Sequence, residues 1–165
     1  MKYSILKNIS LMLKKGVSLS LKQRISSNVR FKAVKGGKIS LGLCCSIREN
    51  SSLSADGGSI IIGSNCFINR NATIAAHSKI TIGKGTSMGP NVCIYDHDHD
   101  MHNPGSFICQ DIEIGKNVWI GAGAIILKGS KIGDGAVIAA GTVVCGEIPE
   151  KTVVLDKRNK VYKNL

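Results

Sequence analysis

Two histidines lie among three aspartates in the segment Asp96-His97-Asp98-His99-Asp100. An imidazole with an unperturbed pKa of about 6.5 is mostly neutral at pH 7, so it can take a proton from an attacking hydroxyl. A neighbouring carboxylate can orient such a ring or stabilise its charged form. With His102, the same histidines could instead bind a metal ion, two from one turn and one from a neighbour. The segment is therefore interpreted as a general base, a metal site or a polar surface corner.

Composition limits the classes of protein to which this chain can belong. Its 165 residues suggest one domain. Glycine is frequent and only 4% of the residues are aromatic, so the core must be built from aliphatic and small side chains. The net charge is +11, and residues 1–38 carry ten Lys or Arg and no acidic residue. Such a balance favours contact with nucleic acid, membrane surfaces or phosphorylated ligands. The scarcity of aromatics argues against stacking on single strands, so no nucleic-acid partner is expected.

The cysteines and the N-terminal residues predict a cellular location. None of the six cysteines forms a Cys-x-x-Cys pair, which argues against a zinc finger. The apolar runs at residues 3–6 and 9–13 are too short to span a bilayer and are poor signal-peptide cores. We therefore expect a cytoplasmic protein with reduced thiols, at the inner face of the membrane if the basic N-terminus contacts lipid.

An internal repeat dominates the chain, because an aliphatic residue recurs at every sixth position. The series is Leu41, Ile47, Leu53, Ile62, Ile68, Ile74, Ile82, Met88, Ile94, Ile114, Ile120, Ile126, Ile132, Ile138 and Val144. A period of six fits neither a helix nor a hairpin. It predicts a coil with three flat sides, in which each six-residue turn is a short strand followed by a bend. Stacked coils place the aliphatic residues in columns inside a triangular core.

The repeat also predicts the domain organisation. Residues 38–149 should form about five coils, and the breaks in period all fall at one corner, where insertions project outward. The longest break, residues 100–113, should form a protruding loop directly after His99. Residues 1–37 are predicted to be a basic, helical N-terminal cap, with an amphipathic contact to anionic lipid as the alternative. Its apolar helix face would carry Ile5, Ile9, Met12 and Leu13. Residues 150–165 should form a short C-terminal tail.

The repeats, together with Asn-Val-Trp-Ile-Gly-Ala (117–122) and Val-Ile-Ala-Ala-Gly-Thr-Val-Val (137–144), resemble a known family. This family is the hexapeptide-repeat acetyltransferases, and the similarity over residues 38–163 is greatest to galactoside, maltose and capsular-polysaccharide O-acetyltransferases. The resemblance implies an all-β, single-stranded, left-handed parallel β-helix in a homotrimer with active sites between subunits. It also implies direct acetyl transfer from acetyl-CoA, as co-substrate, to a hydroxyl of a sugar or glycan, with no metal required.

The resemblance also assigns roles to individual residues. His99 follows Ile94 by five positions and directly precedes the long loop, which is where the family has its general base. Three further residues are expected to bind the acceptor, namely Asn69, Asp96 and His97. Four are expected to bind the coenzyme, namely Trp119, Ala122 and Ala140 near the pantetheine arm and Lys160 at the phosphates. The family's Ala-Gly-Asn-Pro-Ala-Lys turn is replaced by Leu-Asp-Lys-Arg-Asn-Lys at 155–160, so contacts at the adenine end should differ.

Three alternatives stay open. The γ-class carbonic anhydrases use the same coil to bind a metal through histidines. An N-acyltransferase acting on an amino sugar would use the same base. A coil without enzymatic activity could serve as a scaffold or bind nucleic acid through its positive charge.

Overall fold

The computed structural model describes residues 5–156, with side chains from residue 8. One helix, α1 (Ile5–Met12), precedes three parallel sheets that form the three faces of a prism. The first face contains β1 (Val17–Ser18), β4 (Lys38–Leu41), β7 (Ser59–Ile62), β10 (Lys79–Ile82), β15 (Ile112–Ile114), β18 (Lys131–Ile132) and β21 (Glu147–Ile148). The second face contains β2 (Arg24–Ile25), β5 (Ser46–Ile47), β8 (Phe67–Ile68), β11 (Ser87–Met88), β16 (Trp119–Ile120), β19 (Val137–Ile138) and β22 (Val153–Val154). The third face contains β3 (Arg30–Val34), β6 (Ser52–Asp56), β9 (Thr73–Ala76), β12 (Cys93–Tyr95), β17 (Ile125–Ile126) and β20 (Val143–Val144).

The strand register stacks equivalent positions of successive coils on one another. On the first face, Ile39 pairs with Ile60, Ile60 with Ile80, and Ile80 with Ile112, and all four side chains are buried. Burying such columns stabilises the fold by the hydrophobic effect, at about 25 cal/mol for each Å² of apolar surface removed from water. The predicted fold class, an all-β solenoid of parallel stacked coils, is confirmed, and the architecture is consistent with a left-handed β-helix.

The stack is longer than predicted, with six complete coils instead of about five and a partial seventh. Residues 17–34 form the first coil and are not part of a cap. The spacing of six continues in this coil through three buried residues, Leu19, Ile25 and Phe31. Because Phe31 is aromatic and not aliphatic, the repeat could not be recognised there from the sequence. At the other end, β21 and β22 pair with β18 and β19, so the coil extends past the predicted boundary at 149.

Helix α1 packs on the open end of the first coil through Asn8 and Leu11, which are both buried. The Asn8 amide donates hydrogen bonds to the carbonyl oxygens of Leu21 and Gln23, at 2.8 and 3.0 Å. The Gln23 carbonyl group is buried and needs a donor, because an unpaired buried polar group costs free energy. The helix is therefore oriented by its asparagine, and the apolar face predicted for packing is turned outward. Within residues 5–156, no helix is long and apolar enough to cross a membrane.

Candidate active site

A β-hairpin projects from the third corner of the prism, between the third and first faces. It joins β13 (His97–His99) to β14 (Phe107–Cys109), which pair antiparallel and place His97 opposite Cys109 and His99 opposite Phe107. Side chains alternate along a strand, so His97 and His99 lie on one side of the hairpin and Asp98 on the other. The long insertion was predicted as a loop, but part of it is this hairpin. The only hint in the sequence is the apolar run at 107–109.

Asp96 is a fully buried carboxylate at the base of the hairpin. Its oxygens accept hydrogen bonds from the backbone N–H groups of His77 and Ser78, at 2.8 and 2.9 Å. One of them also lies 3.0 Å from Nδ1 of His97. A carboxylate can only accept, so Nδ1 of His97 carries the proton and Nε2 is left as the basic nitrogen. Asp96 therefore orients His97. Asp96 was also predicted to bind the acceptor, but its carboxylate is fully buried and cannot reach a ligand.

Three histidine rings cluster around Phe107. The ring centroids of His77 and His99 lie 4.1 and 4.9 Å from that of Phe107, and His77 lies 4.0 Å from His97. Burial, and then the electrostatic effect of the adjacent His97, lower the pKa of His77 below its ordinary value. His77 and Phe107 were not predicted as site residues, since the hairpin that brings them together depends on a pairing that spacing does not reveal.

His99 lies at the rim of this cluster, and its side chain is exposed. Asp98, on the opposite side of the hairpin, forms an ion pair with Lys128. His102 lies in the exposed turn of the hairpin. Among residues 5–156, no group of three or more His, Cys, Asp or Glu side chains is arranged to hold a metal ion.

The second corner, between the second and third faces, carries Ala122 and Ala140. Both residues are exposed, and within residues 5–156 neither amide donates a backbone hydrogen bond. Glycines in the preceding coils leave these amides open. A Cβ at Gly121 would lie 2.4 Å from the Ala140 nitrogen, and one at Gly89 would lie 2.6 Å from the Ala122 nitrogen. The corner therefore presents two N–H donors to which no other described residue offers a backbone acceptor.

Trp119 and Asn69 lie close to this corner in the fold. Trp119 is 57% exposed on the second face, in one outward row with Val137 and Val153. Asn69 occupies the same corner two coils before Ala122, and its side-chain oxygen accepts the N–H of Arg70 at 2.8 Å. The left-handed residue of that turn is Asn71, so turn geometry does not by itself explain an asparagine at position 69. Lys160 lies outside the described residues.

Residues 111–146 match the family model of the bacterial transferase hexapeptide, which comprises six repeats. The matched segment covers the fifth and sixth coils, so this part of the chain is similar to the hexapeptide-repeat family. It is 39% identical over 90 residues to the galactoside O-acetyltransferase of Escherichia coli K12, a match that covers 52% of this chain and 44% of that protein. It is 48% identical over 56 residues to nodulation protein L of Rhizobium meliloti, covering 32% and 31%. The hexapeptide-repeat chain spans about half the length of the relatives that it matches first.

Solved structures of acyltransferases have the same fold as this chain. A maltose O-acetyltransferase from Clostridium difficile 630 superposes with a TM-score of 0.51 at 27% identity, covering 84% of this chain and 65% of that one. A single-residue mutant of AntD, an N-acyltransferase from Bacillus cereus solved with dTDP and coenzyme A, superposes with a TM-score of 0.69 at 20% identity, covering 96% and 88%. The second similarity is in the fold alone. The resemblance inferred from the repeats is confirmed.

In this hexapeptide-repeat chain, the predicted site residues fall on two separate corners. His97 and His99 are at the third corner, whereas Asn69, Ala122 and Ala140 are at the second. The whole width of the third face lies between the two corners within one chain. Prisms that pack side by side can bring the third corner of one chain to the second corner of the next. Within one chain, the two sets of residues therefore lie at opposite edges of the third face.

Proposed function

We propose that this chain transfers an acetyl group from acetyl-CoA to a hydroxyl of a sugar or glycan, in a cleft between two subunits of a homotrimer. The observation that carries the proposal is the division of the site between two corners. One corner bears histidines with a buried carboxylate beneath them, and the other bears free backbone amides beside an exposed tryptophan. Relatives named as O-acetyltransferases support the reaction class.

The second corner is suited to bind acetyl-CoA, the donor of the acetyl group. The pantetheine arm of coenzyme A has amide carbonyl groups, and the free N–H groups of Ala122 and Ala140 can donate to them. The outward row of Trp119, Val137 and Val153 offers apolar surface beside those amides. The Lys160 ammonium would meet the coenzyme phosphates as a point charge.

The third corner suits proton transfer. His99, through an imidazole nitrogen, takes the proton of the acceptor hydroxyl as its oxygen attacks the thioester carbonyl carbon. A carbon–oxygen bond forms, the carbon–sulfur bond breaks, and the coenzyme leaves as a thiolate that receives the proton from the imidazolium. Direct transfer needs no covalent acyl-enzyme. The Asp96–His97 pair lies beside this base and fixes the shape of the acceptor side of the cleft.

An acetyl-transfer screen tests the proposal. Purified protein is incubated with acetyl-CoA and galactosides, maltosides, glycan fragments or amino sugars, and thiol release and product mass are measured. We expect acceptor-dependent thiol release and an O-acetylated product, unchanged by a chelator. A product acetylated only on nitrogen would replace the hydroxyl acceptor with an amine. Loss of activity on chelation would favour the metal-enzyme alternative.

Trp119→Ala should raise the apparent KM for acetyl-CoA about tenfold and leave kcat nearly unchanged, since an apolar contact of about 1.4 kcal/mol is lost. Ile61→Ala is the matched control, because Ile61 is a similarly exposed apolar residue on the first face. Steady-state kinetics with acetyl-CoA as the varied substrate measure both. Equal KM values for the two variants would remove Trp119 from the donor site.

A further inference from the structure

We propose that the N-terminal end of the prism docks on an anionic lipid bilayer. The contact surface consists of Ile9, Met12 and Leu13 of the α1 segment together with Leu21 and Leu43, and is called the N-terminal patch here. All five side chains are exposed. The proposal concerns where the protein binds and is independent of the reaction proposed above.

The helix presents its apolar stripe to solvent. Residues spaced by three or four positions share one side of a helix, and Ile9, Met12 and Leu13 have this spacing. They are 43%, 45% and 82% exposed, whereas Asn8 and Leu11 on the inner side are buried. A surface helix normally turns its apolar side to the core. Here Asn8 holds the helix by hydrogen bonds to the first coil, so the apolar stripe is free for another apolar phase.

Two leucines of the coil extend this apolar surface. Leu21 is adjacent to the helix, because its carbonyl oxygen accepts the Asn8 amide at 2.8 Å. The strand register, with Val17 opposite Ile39, stacks Leu43 in the next coil on Leu21. Both leucines are exposed at the same corner. The two leucines therefore form an exposed apolar pair on the first two coils, at the end of the prism on which the helix packs.

The charges around the patch have a single sign. Lys14, Lys15 and Lys22 are exposed next to its residues, and the first acidic residue of the chain is Glu49. A bilayer with anionic headgroups complements both the apolar patch and the surrounding lysines. The apolar side chains of the patch enter the acyl boundary, while the lysines remain at the headgroups. A second copy of the chain would bring like charges together, and a nucleic acid would leave the apolar side chains unburied. The combination favours anionic lipid.

Vesicle binding of the full chain tests the proposal. The bound fraction is measured by flotation with neutral phosphatidylcholine vesicles and with vesicles containing about 30 mol % phosphatidylglycerol. We expect binding to the anionic vesicles only, weakened by salt. Replacing Ile9, Met12 and Leu13 by Ser should lower the partition coefficient at least about tenfold. Replacing Lys14 and Lys15 by Gln should lower it about fivefold for each charge removed.

Matched variants at other places act as controls. The triple change of Val143, Val153 and Leu155 to Ser removes three exposed apolar side chains far along the coil. Lys84→Gln with Lys116→Gln removes two exposed charges at the corner between the first and second faces. Both controls should bind like the parent chain, and circular dichroism should show the same thermal transition for every variant. Equal binding to neutral and anionic vesicles, or equal losses in controls and patch variants, would overturn the proposal. So would a patch-dependent dimer that does not bind vesicles.

Discussion

Replacing His99 by Ala should lower kcat for acetyl transfer at least about a hundredfold, because a positioned general base contributes about 10²- to 10⁴-fold to a rate. Binding of acetyl-CoA should be unchanged, since the donor residues lie at a different corner. The acid limb of the kcat/KM profile, which reports protonation of the base, should disappear with the imidazole. Isothermal titration with coenzyme A and initial rates across pH measure these effects separately.

His97→Ala is the matched comparison, because His97 lies on the same side of the same strand, two residues away. It is anchored to Asp96 and packed against His77, so it is the other candidate base. We expect its removal to lower the rate less and to leave the acid limb in place. Near-normal rates in the His99 variant, with the acid limb lost only in the His97 variant, would move the base to His97.

Asp96→Asn should lower the free energy of unfolding by about 2–3 kcal/mol, because a buried carboxylate with three partners would be replaced by a group that cannot accept from all of them. The amide NH₂ would face a backbone N–H of His77 or Ser78. Urea unfolding followed by circular dichroism gives the change.

Asp134→Asn is the control for the buried aspartate. Its carboxylate also accepts a backbone N–H, from Lys116 at 2.7 Å, but the residue is exposed and water can replace the bond. We expect a change of less than about 1 kcal/mol there. Similar decreases in the free energy of unfolding of the two variants would show that Asp96 does not anchor the hairpin.

The coil could be predicted from the sequence because its core position is unambiguous. An aliphatic side chain at every sixth residue has no other regular arrangement that buries it, and the register of the isoleucines follows that spacing. The first coil was missed because Phe31 occupies an aliphatic position. The orientation of α1 was missed because it depends on Asn8 as a hydrogen-bond donor, which an apolar pattern does not show.

The candidate site was predicted less completely than the coil. The composition of the Asp96–Asp100 segment indicated that it is important. Strand alternation alone would place Asp96 and Asp98 on the same side, so the buried Asp96 could not be distinguished from the exposed Asp98 without knowing the hairpin pairing. The free amides of Ala122 and Ala140 depend on backbone geometry, and their positions came from family resemblance. Sequence spacing also gave no sign that the residues occupy two corners of the prism.

The central claim is that one site is built from the third corner of one chain and the second corner of another. Mixing two impaired variants tests it directly at acetyl-CoA concentrations well below KM, the first being His99→Ala and the second Asn69→Ala combined with Trp119→Ala. The two are unfolded together at equal amounts, refolded and assayed for acetyl transfer, with each variant refolded alone as the control. Random assembly of a cyclic trimer should restore about one quarter of the parent activity, since that share of sites combines two intact corners. Activity no higher than that of the separate variants would contradict the shared site.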